Sequence, residues 1–285
     1  MDFDLKAKLA RLATIRQGKP AYRRLLDIYE KIYIEKERCY RSFRPQIALL
    51  DDNLIRTKIK EGFFILDKGS VILDMEALEG FFRSLLHVIE QEKPDAGARL
   101  AAYFQKNDSI ISALIQEAWE GTLNVKSWGR DEIGDPSLLL FMLIECLKPA
   151  YEHFGRILGE YLDTGAWEEG YCPICGEQPP ISEILPHEER YLFCVFCATE
   201  WFFPFFACPF CGYEGRENLR YLRAKNEAQY RIEICNQCGR YIKGVKVEEI
   251  GYRVPLDVEN ILTLHLDMLA QKEGYRRGAR FQLLI

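Results

Sequence analysis

Eight of the ten cysteines fall into four Cys-x-x-Cys pairs: Cys172/Cys175, Cys194/Cys197, Cys208/Cys211 and Cys235/Cys238. Two thiolates on one tight turn are half of a tetrahedral metal site, and four pairs in one chain far exceed random placement. In a reducing compartment a disulfide framework is the weaker explanation. Cys172-Pro-Ile-Cys175-Gly176 and Cys208-Pro-Phe-Cys211-Gly212 set the fixed φ of Pro inside the turn, with Gly just after it where a positive φ is needed. Cys235-Asn-Gln-Cys238 keeps its Gly239, whereas Cys194-Val-Phe-Cys197 is followed by Ala198. A left-handed alanine costs roughly 1–2 kcal/mol, so a less regular second knuckle is expected.

Eight thiolates suit two mononuclear sites of four cysteines each. Sequential coupling, first pair with second and third with fourth, leaves room for a short hairpin between the knuckles, as in zinc ribbons, and is favoured over crossed or nested coupling. Arg190–Phe193 reads as a strand entering the second knuckle, and 228–234 alternates into the fourth. Four thiolates accept zinc or a rubredoxin-type iron, and the residues do not choose between them. A site closed by four protein ligands has no open position for water or substrate, which argues against metal-assisted hydrolysis and for a structural ion or an electron carrier.

The elements that hold these knuckles read as α+β: an N-terminal helical bundle, two small rubredoxin-like units and a C-terminal helix. Residues 1–165 carry helical periodicity, with Tyr22, Leu25, Leu26, Tyr29, Ile32 and Tyr33 on one face, further runs near 75–92 and 99–119, and an irregular insert at 51–70. Asp135-Pro136 is an N-cap with Pro at the first helical position, opening a helix that Pro149 is expected to kink or break. Glu168-Glu169-Gly170 marks a boundary, giving metal units at 166–206 and 207–250 and a region 251–285 that docks back. There Pro255 opens one amphipathic helix to about Lys272, followed by Arg276, Arg277 and Arg280 as a solvated tail.

Composition narrows the function. The formal net charge is −5, with −3 of it on 166–254, so charge alone attracts no nucleic acid. The longest central apolar run, 138–144, is far short of the roughly 18 residues of a membrane span, and the opening residues lack the basic and apolar regions of a secretory signal. A cytoplasmic protein is expected. His87, His153, His187 and His265 are scattered, Cys39 and Cys146 sit in helical patterns as small buried hydrophobes, and Glu188-Glu189 reads as an exposed turn. Nothing assembles a catalytic constellation, so a non-enzyme is expected. The apolar stretch after Thr199, with Glu200, Trp201, Phe202 and Phe203, reads as core shared by the two units or as a patch that grips an extended partner.

Taken together, Cys-Pro-Ile-Cys-Gly-x-x-Pro at 172–179, Arg-Tyr-Leu-x-Cys-x-x-Cys-x-x-Glu-Trp at 190–201, the third and fourth pairs, Tyr241-Ile-Lys and Gly-Tyr-x-Arg at 274–277 resemble the FdhE family of formate dehydrogenase accessory proteins. The resemblance implies a helical domain, two rubredoxin-like units whose metal ligands are the eight knuckle cysteines, and a cytoplasmic factor. Its partner would be the catalytic subunit of formate dehydrogenase, a molybdenum or tungsten enzyme, bound during maturation. Glu200-Trp201 matches the family's Glu-Trp, while the Phe202–Phe206 stretch and the missing glycine at 198 depart from its pattern. A rubredoxin-like electron carrier and a zinc-ribbon binder of single-stranded nucleic acid are the alternative functions.

Overall fold

The computed structural model describes residues 4–48, 51–124, 133–162 and 166–279. Seven α-helices occupy the N-terminal region among the described residues: α1 Leu5–Gly18, α2 Arg23–Ser42, α3 Asp52–Lys60, α4 Met75–Glu92, α5 Pro94–Lys106, α6 Ile111–Glu120 and α7 Pro136–Gly159. Each pattern seen in the sequence finds its helix, although the run near 99–119 divides into α5 and α6 and the 51–70 insert contains α3. On α2, Leu26, Tyr29, Ile32 and Tyr33 are buried together, as their spacing requires. The Asp135 carboxylate accepts from the Ser137 amide, capping α7 with Pro136 in its first turn. Contrary to expectation, α7 runs through Pro149 without ending. The lost backbone bond costs about 3 kcal/mol, and the long buried face of this helix, from Leu138 to Leu158, outweighs it.

The cysteine region folds onto one sheet. Strands β3 Ile181–Ile184, β4 Arg190–Phe193, β5 Glu200–Phe202, β6 Leu219–Leu222, β7 Tyr230–Cys235 and β8 Arg240–Lys246 lie in the order β5-β4-β3-β8-β7-β6, and β9 Arg276–Arg277 pairs with the start of β8. A separate two-stranded ladder, β1 Gln46–Ile47 with β2 Val71–Ile72, braces the helical domain. Each half of the cysteine region supplies an antiparallel set, β3-β4-β5 and β6-β7-β8, and parallel pairing of β3 with β8 (Ile181 opposite Lys243, Ile184 opposite Lys246) joins the two. The sheet is therefore continuous across the 206/207 division. A buried ion cluster reinforces the joint: Arg190 on β4 meets Glu233 on β7 at 2.7 Å, and Arg231 reaches the same carboxylate at 2.8 Å.

Two apolar cores result. The main one packs the helices against the first cysteine cluster, and the smaller one gathers Ile181, Tyr230, Ile232, Tyr241, Val245, Leu256 and Leu266. The C-terminal region docks back as two helices, α9 Leu256–Leu262 and α10 Leu264–Lys272 (after a single turn, α8 Val247–Ile250), because Thr263 leaves the helical region and breaks the single helix expected from Pro255. Val258, Ile261 and Leu262 enter the main core, and Leu266 enters the smaller one. Arg277 is not a solvated arginine: it is buried and donates to the Asn260 side chain at 2.9 Å. Arg280 lies outside the described residues.

Candidate metal centres

The four knuckles share one backbone turn. The amide four residues after the first cysteine of each pair donates back to that cysteine's carbonyl: Gly176 to Cys172 at 2.9 Å, Ala198 to Cys194 at 2.9 Å, Gly212 to Cys208 at 3.0 Å and Gly239 to Cys235 at 2.8 Å. The donor has a positive φ in all four, 77°, 58°, 69° and 67° in that order. The second knuckle is thus as regular as the others, and Ala198 accepts the left-handed strain because the turn demands it.

The pairs couple sequentially. Cys172, Cys175, Cys194 and Cys197 form one cluster, and Cys208, Cys211, Cys235 and Cys238 the other, with all sulfurs of a cluster within 4.8 Å of one another. A tetrahedron of sulfurs about 2.3 Å from its ion has edges of roughly 3.8 Å. In the second cluster Cys208–Cys238 and Cys211–Cys235 are both 3.8 Å apart; in the first, Cys172–Cys197 is 3.3 Å, Cys175–Cys194 3.5 Å and Cys175–Cys197 3.7 Å. Donor type, number and spacing therefore fit one thiolate-bound ion per cluster, and zinc and iron fit equally. Without an ion, burial would push the Cys175 and Cys194 thiols well up. Burial also acts on Cys197, but hydrogen bonds from the other three cysteines and from Thr199 outweigh it and hold its thiol well down. Four buried sulfurs facing one another suit a cation that neutralises all four.

The two clusters differ in surroundings. All four cysteines of the first are buried, and the helical domain closes over them. The carbonyls of Pro173 and Ile174 accept from the amides of Ile65 and Leu66 at 2.9 and 2.8 Å, so the insert after α3 adds its backbone to the first knuckle. A Cβ on Gly155 of α7 would lie 2.3 Å from the Cys197 carbonyl oxygen, which is how closely that helix approaches the second knuckle. In the second cluster Cys211 is exposed and Cys238 half-buried. No local pattern marks the helical residues that seal the first centre; a glycine within the apolar pattern of α7 is the one available signal.

The apolar stretch before the third knuckle divides with strand alternation. Trp201 is fully buried and its indole N–H donates to the Glu169 carbonyl at 3.1 Å; Phe203 is buried as well. Phe202 between them points outward, 43% exposed, with Tyr191 beside it. The Glu200 carboxylate takes an ion pair at 2.5 Å from Arg253, which also binds Glu183. Of the four residues considered for partner contact, two are core, one is engaged within the fold and Phe202 faces solvent. Glu188 and Glu189 are exposed, and the histidines stand apart from both clusters: His265, for example, bridges Tyr22 and Glu227.

Comparison with known proteins agrees with this arrangement. The family profile described as FdhE, central domain matches residues 171–204, which hold the first two knuckles. The chain is 33% identical over 252 residues to Protein FdhE of Salmonella typhimurium, covering 82% of this chain and 76% of that one. The chain belongs to the FdhE family. A Protein FdhE homolog of Aquifex aeolicus is 25% identical over 278 residues, covering 95% of this chain and 92% of its own length. The crystal structure of the FdhE protein from Pseudomonas aeruginosa superposes with a TM-score of 0.65 at 22% identity, over 98% of this chain and 95% of that one, so the fold is an FdhE fold throughout. No helix among the described residues is long and apolar enough to cross a membrane.

Proposed function

We propose that this FdhE-family protein is a cytoplasmic, non-catalytic accessory factor that binds the catalytic subunit of formate dehydrogenase during its maturation. The observation that carries the reading is the pair of four-thiolate clusters, each closed by protein ligands, in a chain similar to FdhE proteins over nearly its whole length. A closed centre shapes a surface and offers no position for a reacting group. The division into a helical domain at 1–165, metal units at 166–206 and 207–250 and a docking region at 251–285 is part of the proposal, as is the assignment of the eight knuckle cysteines as metal ligands. Contact with the client is proposed at the outer edge of β5, where Phe202 presents an aromatic face and the strand has no further neighbour in the sheet among the described residues.

The test is an anaerobic pull-down of the tagged protein from its native cytoplasm, with bound proteins identified by mass spectrometry. Enrichment of a formate dehydrogenase catalytic subunit, lost on Phe202→Asp, is the expected result. That subunit expressed but absent from the eluate overturns the reading. A second reading, electron transfer through a rubredoxin-type iron, is favoured by the solvent exposure of Cys211, since an ion near the surface exchanges electrons with a partner more readily than a sealed one. It predicts iron with reversible visible absorbance; zinc in protein made under native metal supply refutes it.

A further inference from the structure

The main core contains all four cysteines of the first cluster, and neither core contains any cysteine of the second. To loosen the first cluster, α7 must leave its seat at Gly155, the insert must release Pro173 and Ile174, and the ring of Phe196 must part from Tyr151, 5.4 Å away centre to centre. These contacts come from two distant parts of the chain, α7 and the insert after α3.

The third knuckle is fastened on one side alone. Pro209 rests on Gly170, where an added Cβ would fall 2.0 Å from the Pro209 oxygen, and Phe210 packs against Gly278. Cys211 lies past both contacts and is exposed and Cys238 is half-buried, while Cys208 and Cys235 of the same cluster are buried. Sulfur reactivity follows access, and the apolar shell around a centre governs what reaches it. We infer that the Cys208/Cys211/Cys235/Cys238 centre is an exchangeable metal site that opens at Cys211 and Cys238, whereas the Cys172/Cys175/Cys194/Cys197 centre is a sealed part of the core. Exchange is a ligand substitution with no change of oxidation state. An incoming donor, a thiolate or an aminocarboxylate chelator, bonds to the ion as the Cys211 sulfur leaves and takes a proton from water. A partner's thiolate has the same route to this ion and none to the other. The inference goes beyond the accessory role and holds whatever client is bound.

The full-length protein loaded with two equivalents of zinc tests it. Excess EDTA removes the metal while a colorimetric zinc indicator follows samples of the released ion. One equivalent is expected to leave at least tenfold faster than the other. Cys211→Ser is expected to lose the fast equivalent and keep the slow one at an unchanged rate. Should that variant not fold, the wild-type protein decides alone: N-ethylmaleimide added during release, followed by peptide mass spectrometry, labels Cys211 and Cys238 in the fast phase and the cysteines of the first cluster in the slow one. A single rate for both equivalents, or earliest labelling at Cys172, Cys175, Cys194 or Cys197, overturns the inference.

Discussion

The two cysteine clusters have the same ligands, the same turn and nearly the same spacing, and yet they sit in opposite surroundings. The first is covered by a helical domain whose backbone and side chains reach its knuckles; the second hangs at the end of β7 and β8 with one sulfur in water. Identical local chemistry can serve two ends, and long-range packing decides which. A metal in the first centre would be joined to the folding of the helical domain, while one in the second would be joined to the third knuckle and the β7-β8 hairpin.

The comparison breaks most visibly at the ligands. Structural thiolate-bound zinc contributes on the order of 10 kcal/mol, comparable with the whole stability of a domain. Cys172→Ser is expected to abolish soluble, folded protein, whereas Cys211→Ser is expected to remain folded with a lower melting temperature; circular dichroism on purified chains checks both. Equal losses would dissolve the distinction.

Next in size is the joint between the units. Glu233→Ala leaves Arg190 and Arg231 buried without their carboxylate and is expected to cost about 3–5 kcal/mol in denaturant titration. Burial alone would raise the pKa of Glu233, but the two guanidiniums prevail and hold it below the usual 4.5. A depressed folded value means stability that is present above about pH 4.5 and lost as pH falls through the folded value. The gap between wild type and variant is therefore expected to narrow on acidification below that pH.

Smaller effects sharpen the account of the first centre. Gly155→Ala forces a methyl group onto the Cys197 carbonyl and is expected to cost about 1–3 kcal/mol, with faster metal loss from the first cluster and an unchanged rate from the second. Ala198→Gly relieves a left-handed alanine and is expected to stabilise by about 1 kcal/mol, read as a rise in melting temperature.

What could be read from the chain follows physical range. The knuckles were legible because ligand spacing, Pro and Gly act within five residues, and the helices were legible where one apolar face repeats, as on α2 and α4. The parallel pairing of β3 with β8 was not, since it joins residues about sixty apart that carry no mutual signal. Pro149 inside α7 and the break at Thr263 went against local rules because burial overrode them. Trp201 and Phe203 could have been separated from Phe202 by strand alternation alone, since a period of two sends neighbours to opposite faces. The contact of Gly155 with the second knuckle depends on how a whole domain docks and left no trace in the sequence beyond a glycine.

The most direct test of the difference between the centres is amide hydrogen exchange by mass spectrometry on the zinc-loaded protein and on its Cys211→Ser variant. Protection is expected to fall across 205–240 and to stay unchanged in α7 and in residues 62–66 beside the first knuckle. Loss of protection spreading into α7 would mean that the second centre, too, holds the core together, and would contradict the account.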